Sequence, residues 1–228
     1  MDEIKKFVVI GMGAYGKAIA RTLNDLNAEI TIIDKDLTTI ENLKQEGFEH
    51  AVQLDSTDEI ALSRFVTPDD LVVLAMGESF ENNILTVGIL MKLGVKKIYA
   101  RAIKEIQTKI LDKMDVVETL FPEKQQGRET AIKLFYGGIK FVHEFAPGIY
   151  LGEFKIPEKY YGKTIVELNI RQIFKINIIA LKEIDKTDGT IKKLYPTAFV
   201  NIPLNDSHTL IAAGTQKSIS SFLENANS

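Results

Sequence analysis

Three glycines and one carboxylate carry the first recognisable chemistry in this chain. Phe7-Val8-Val9-Ile10 runs directly into Gly11-Met12-Gly13-Ala14-Tyr15-Gly16, and Asp34 closes the next apolar run, Ile30-Thr31-Ile32-Ile33, 18 residues beyond Gly16. An apolar strand entering Gly-x-Gly-x-x-Gly and then a helix is the phosphate-binding turn of a dinucleotide fold. Gly11 permits the tight turn, Gly13 lets the backbone approach a diphosphate, and Gly16 lets the helix pack on the strand. The helix start offers unpaired N–H groups and a partial positive charge to an anion. Asp34 is placed to accept hydrogen bonds from ribose hydroxyls and to repel a 2′-phosphate, which disfavours NADP. The alternative reading is a Rossmann-like domain whose turn is only scaffold.

These residues need a parallel sheet to position them, and the first half of the chain supplies its pattern. Strands are expected at Lys6–Ile10, Glu29–Asp34, Glu49–Leu54, Leu71–Ala75, Lys97–Ala100 and Val116–Phe121, separated by helical segments and short punctuated turns. Leu71–Ala75 is nearly all apolar, as a central strand buried on both faces requires. Asp55-Ser56-Thr57-Asp58-Glu59 supplies cap-type residues for a helix reaching Phe65. The fold class is therefore α/β: a Rossmann-like six-stranded parallel sheet with helices on both faces over 1–121. Linking helices are expected over 122–146, with Gly137-Gly138 as a break or hinge, and a small α+β domain over 147–228. In that last part Ile149–Ile156, Ile176–Leu181, Ile191–Tyr195 and Leu210–Ala213 read as strands. Thr164 and Glu167 have capping-box spacing, Asp188-Gly189 marks a hairpin, and Ser218–Leu223 is a closing helix.

Bulk properties narrow the function classes. The chain has 228 residues, 45% of them hydrophobic, and a formal net charge of −3. A sizeable core is available, and the basic stripe of a nucleic-acid binder is missing. With no cysteine, disulfides and cysteine-based zinc sites are excluded. Met1-Asp2-Glu3 lacks a basic n-region, and Leu71–Met76 is far short of the ~20 residues that span a bilayer. No direct membrane insertion is expected, so any membrane role has to come through a partner.

The combination of the two halves resembles the RCK family (regulators of potassium conductance), the regulatory subunits of Ktr/Trk potassium-uptake systems. The likeness rests on Gly11–Gly16, Asp34, Asp55-Ser56-Thr57-Asp58-Glu59, Ala75-Met76-Gly77-Glu78 and Pro122-Glu123-Lys124 in the first half. In the second it rests on Gly162-Lys163-Thr164, Leu168-Asn169-Ile170-Arg171, Ile178-Ile179-Ala180-Leu181-Lys182 and Ala213-Gly214. One copy of each domain matches the stand-alone Ktr type rather than the duplicated Trk chains. The resemblance implies a homodimer assembling into a ring, octameric by analogy. Such a ring sits beneath an integral-membrane potassium-channel subunit, in the cytoplasm at the inner face of the membrane.

By the same resemblance, ATP/ADP or NAD(H) binds a cleft formed by Gly11, Met12, Gly13, Ala14, Tyr15, Gly16, Asp34, Lys35, Asp55, Ser56, Ala75, Met76, Gly77 and Arg101. Helix capping is the equal alternative for Asp55 and Ser56, and a surface ion pair is the alternative for Arg101. Several Ktr relatives carry arginine where this chain has Ala14, so no charge reaches a terminal phosphate from that position; Lys17 is the nearest substitute. Glu123 matches a position that binds a divalent cation, Ca2+ or Mg2+, between subunits; its alternative is to complement a helix dipole. Arg171, with Ile170, Ile178 and Pro196, matches a cyclic di-AMP site, while core packing is the competing fate of the apolar three.

Two other functions fit part of the pattern. One is an NAD-dependent oxidoreductase, for which the acid/base candidates His50, His143 and His208 are poorly placed and the usual catalytic motifs are missing. The other is an RCK module regulating a different transporter.

Overall fold

The computed structural model describes residues 6–77, 79–136 and 139–224. Contacts divide the chain into two compact units, Met1–Glu123 and Lys124–Ser228. The first is a parallel sheet of β1 (Phe7–Ile10), β2 (Ile30–Asp34), β3 (Ala51–Gln53), β4 (Leu71–Leu74), β5 (Lys97–Arg101) and β6 (Glu118–Leu120). Its spatial order is β3-β2-β1-β4-β5-β6, so the strand order reverses direction between β1 and β4. In open α/β sheets that switch point is where ligands bind.

Among the described residues these strands are connected by α1 (Ala14–Asp25), α2 (Leu37–Gln45), α3 (Glu59–Leu62), α4 (Phe80–Lys92) and α5 (Glu105–Leu111), the last followed by a 3-10 turn at Asp112–Met114. The helices cover both faces, and the two-residue period of the strands sorts the core accordingly. Val8 and Ile10 join Leu62, Val87 and Leu90 on one side, whereas Val9 and Ile32 join Ala20, Ile40 and Leu43 on the other. Side chains at three helix starts accept the otherwise unpaired backbone N–H groups: Asp36 from Thr39, Asp58 from Ala61 and Ser79 from Asn82. The third helix stops at Leu62, short of the expected Phe65.

The second unit begins within α6 (Pro122–Tyr136), a helix that starts in the first. The expectation of further linking helix up to 146 is corrected here. Ile139–Ala146 is a strand, β7, paired antiparallel with β8 (Ile149–Lys155) across the turn at Gly148, whose φ is +75°. Gly137-Gly138, read as a hinge, lies outside the described residues. With β9 (Asn177–Ile184), β10 (Ile191–Tyr195) and β11 (His208–Thr215) they form a five-stranded antiparallel sheet, ordered β10-β9-β11-β8-β7. The Asp188-Gly189 turn joins β9 to β10, with Gly189 at φ +75°.

Short helices α7 (Ile165–Leu168), α8 (Ile170–Phe174) and α9 (Gln216–Glu224) complete the unit. The capping box forms as its spacing predicts. Thr164 Oγ1 accepts from the Glu167 N–H at 3.2 Å, and the Glu167 carboxylate accepts from the Thr164 N–H at 2.7 Å. Asn169, in the left-handed region at φ +46°, separates α7 from α8. Phe154, Tyr160, Phe174, Leu181, Leu210 and Phe222 are buried together in the core of this unit.

Candidate functional site

A cleft of about 720 Å³ opens at the carboxyl ends of the parallel strands. Gly11, Met12 and Gly13 line it from the turn after β1, and Asp34, Lys35, Asp36 and Thr39 from the β2–α2 junction. Leu54, Asp55 and Ser56 follow β3, and Ala75, Met76 and Gly77 follow β4. Ile10, Ser79, Asn82, Arg101 and Ile103 complete the wall. Of the residues expected here from sequence, Ala14, Tyr15 and Gly16 do not line the cleft; they form the first turn of α1 behind it. Thr39, Asn82 and Ile103 went unpredicted because no local motif marks them; each reaches the wall only through the fold.

The three glycines of the turn do different work. Gly11 has φ +93°, and a Cβ there would lie 2.6 Å from Met76 Cγ and 2.9 Å from the Met76 nitrogen. Gly16 would place a Cβ 1.9 Å from the Gly11 carbonyl oxygen. Both glycines are therefore demanded by the fold. Gly13, the N-cap of α1, has φ −66° and ψ −174°, a conformation open to any residue. A Cβ added there meets nothing within 4 Å. Folding sets no requirement at Gly13, and the space in front of it belongs to the cleft.

Asp34 has a second task that sequence does not announce. Its Oδ2 accepts from the Met12 N–H at 2.5 Å, and its Oδ1 accepts from the Asp36 N–H at 2.8 Å. The carboxylate thus ties the glycine turn to the end of β2 while facing the cleft. Asp36, fully exposed, is held below the usual carboxylate range by hydrogen bonding from the Thr39 side chain and backbone. At the β3 end, Asp55 accepts from the Thr57 hydroxyl at 2.7 Å and the Thr57 N–H at 2.9 Å, and these bonds depress its pKa. The Ser56 hydroxyl is buried and pairs with Thr86 Oγ1 at 2.9 Å. Neither residue caps the following helix; Asp58 does. That corrects the capping alternative for both.

Arg101 forms the far wall. Its side chain is 16% exposed, its guanidinium lies 5.4 Å from the Tyr15 ring centre, and one N–H reaches the Ala75 carbonyl at 3.3 Å. A second N–H pairs with the Glu123 carboxylate in the first turn of α6. Nε is buried without a hydrogen-bond partner among the described residues. Gly77 leaves room for this group, since a Cβ there would sit 3.0 Å from Nη1. Tyr15 beside it is half-buried, and desolvation pushes its hydroxyl pKa up, with Arg101 opposing the rise.

The remaining expected sites are less assembled. Glu123 is half-exposed and engaged by Arg101, and no group of three or more potential metal ligands occurs among the described residues. Ile170 is 1% exposed in the core of the second unit, Arg171 and Pro196 are exposed, and Ile178 is half-buried. Ile178 lies against Phe154, Ile176, Leu210 and Phe222, with none of the other three beside it. Lys17 and the three histidines are not on the wall of the main cleft.

The cleft's residues have the chemistry of a diphosphate and ribose site. An unobstructed backbone at Gly13, a helix N-terminus, a carboxylate at the end of β2 and an arginine whose Nε has no partner among the described residues fit a diphosphate joined to a ribose.

Comparison with known proteins shows the family and the fold. The TrkA-N domain family matches residues 7–122. Ktr system potassium uptake protein C of Bacillus subtilis (strain 168) is 31% identical over 179 residues, 78% of this chain and 80% of that protein. Among solved structures, the GsuK RCK domain superposes with a TM-score of 0.63 at 19% identity, covering 99% of this chain and 48% of that one, so this chain spans about half its length. The GsuK channel bound to NAD gives 0.62 at 17% identity, covering 97% and 39%. The two superpositions speak for a shared fold. A TrkA-N domain over its first half, and a Ktr relative matching more than three quarters of its length, make this chain a member of the family of Ktr potassium-uptake proteins.

Proposed function

We propose that this chain is a nucleotide-binding regulatory subunit of a Ktr-type potassium uptake system, with no catalysis of its own. The observation that carries the reading is Gly13, the turn glycine that folding does not require, at the wall of a cleft also bounded by Asp34 and Arg101. In this reading the backbone of Gly11–Gly13 and the start of α1 receive the diphosphate of ATP, ADP or NAD(H). Asp34 accepts from the ribose hydroxyls, Asp55 and Ser56 border the adenine end, and Arg101 supplies positive charge. The NAD-bound GsuK structure, on the same fold, supports a dinucleotide among the candidates.

Membership of the Ktr family supports a membrane potassium-channel subunit as partner, and the assembly is part of the same proposal. The chain forms homodimers that assemble into a ring, octameric by analogy, against an integral-membrane potassium-channel subunit at the cytoplasmic face of the membrane. No described helix is long and apolar enough to cross a bilayer. Nucleotide sets the gate only through a difference in affinity between ring shapes, and a tenfold preference amounts to about 1.4 kcal/mol per site. Glu123 from paired subunits would hold Ca2+ or Mg2+. Arg171, exposed on α8, is the anchor for cyclic di-AMP in this reading, with Ile178 and Pro196 contributing across the dimer; Ile170, 1% exposed, takes the core-packing alternative instead.

A thermal-shift and calorimetry panel with ATP, ADP, AMP, NAD, NADH, NADPH and cyclic di-AMP tests the reading. Stabilisation by adenine nucleotides with NADPH inert is the expected result. NADH consumption by the protein alone would favour an oxidoreductase instead, and silence across the panel would leave the glycine turn as scaffold.

A further inference from the structure

We propose that Glu123 is the resting counter-ion of Arg101 and that the phosphate end of a bound nucleotide displaces it, so that filling the cleft frees the carboxylate in the first turn of α6. The proposal rests on the nucleotide reading of the cleft and adds how its occupancy is passed on. Arg101 is the arginine of the cleft wall, and Ala14 in the glycine turn brings no charge. A phosphate entering beside Gly13 and Arg101 therefore meets a guanidinium whose charge is already shared.

The surroundings of Arg101 suit an exchange. The guanidinium is fixed from below by the Ala75 carbonyl and stacks near Tyr15, and Gly77 leaves it space. It stays in place whichever anion it serves. Its Nε is buried and unpartnered among the described residues, so the group has donor capacity that Glu123 leaves unused. An arginine has five N–H donors in a fixed fork and prefers bidentate anions. Glu123, in contrast, is 48% exposed on its side chain, and water compensates a carboxylate that leaves such a position. The less buried partner is the one that gives way. Glu123 is also the last residue of the first unit and lies in the helix that continues into the second. An anion released there changes the charge at the start of that helix.

Competition for one cation makes a prediction opposite to that of a supporting role. Removing Glu123 leaves Arg101 fully available and tightens nucleotide binding. Calorimetric titrations with ADP and ATP in EDTA, which excludes a divalent cation at Glu123, read this directly in the full chain. Glu123→Gln is expected to lower Kd about fivefold, the scale of a partly exposed ion pair. Glu123→Ala is expected to do the same. In Arg101→Gln the affinity drops, and adding Glu123→Gln to it changes nothing further. Equal or weaker binding by both Glu123 variants with unchanged thermal unfolding overturns the exchange. So does a gain that persists without Arg101. A wild-type chain that binds neither nucleotide overturns the nucleotide reading itself, and the exchange with it.

Discussion

The two units of this chain treat buried space in opposite ways. The second is filled: Phe222 packs against Tyr160 at 5.8 Å and Phe174 at 5.4 Å between ring centres. Its half-buried charges are matched, with Glu153 taking Lys182 at 2.5 Å and the Thr209 hydroxyl at 2.9 Å. The first unit has an equally tight sheet but leaves a cleft at the strand ends. The buried side-chain atoms without partners among the described residues, Asp70 Oδ1, Asn83 Oδ1 and Arg101 Nε, all belong to it. The amide nitrogen of the same Asn83 side chain donates to the Arg101 backbone carbonyl at 2.7 Å. Unpaired polar atoms are costly where nothing can satisfy them. Of the three only Arg101 is on the wall of the cleft; Asp70 precedes β4 at the opposite, amino end of the sheet, where Lys6 and the Thr67 N–H engage its other oxygen.

The contrast can be broken at graded strengths. Phe222→Ala should be the most damaging change in the filled unit, destabilising it by about 3–5 kcal/mol in urea unfolding. Gly16→Ala should cost about 3 kcal/mol in the first unit, at the upper end of overpacking, because the added carbon meets the Gly11 carbonyl rather than a movable side chain. Thr164→Ala removes the capping box of α7 and should lower stability by about 1 kcal/mol.

The smallest effect concerns pH. His208 is buried, its Nδ1 accepts from the Asn205 N–H at 3.3 Å, and desolvation holds its pKa below the usual value against the pull of Glu183 and Asp206. The folded state therefore prefers the neutral ring. Its contribution is present above the unfolded pKa of about 6.5 and is lost as pH falls through the folded value. Urea midpoints measured from pH 8 down to 5 should decline, and His208→Gln should make that decline shallower.

The readable and unreadable parts of the molecule divide along a similar line. The parallel sheet was legible because each strand is an apolar run punctuated by glycine or cap residues, and Gly11 and Gly16 declare their steric need in the motif. The capping box at Thr164 and the hairpin at Gly189 are local signals and formed as read. The strand Ile139–Ala146 was missed because its identity comes from pairing with β8, and the stretch up to 146 was read as linking helix. The helix α8 escaped notice because it follows α7 after the single left-handed residue Asn169. In the site, most wall residues were foreseen, but not the Asp34 bond to Met12. The arginine's ion pair was foreseen in kind but not in partner, since Glu123 lies 22 positions away. Local sequence specifies turns and caps; it does not specify which distant charge meets which.

The central claim is that Gly13 serves the ligand and not the fold. Calorimetric titration of Gly13→Ala with ADP and NADH, alongside its urea unfolding, tests it most directly. Unfolding should shift by no more than about 1 kcal/mol, the scale of an N-cap change, while affinity should fall at least about tenfold as the methyl group enters the diphosphate's space. Wild-type affinity in the folded Gly13→Ala protein would contradict the account.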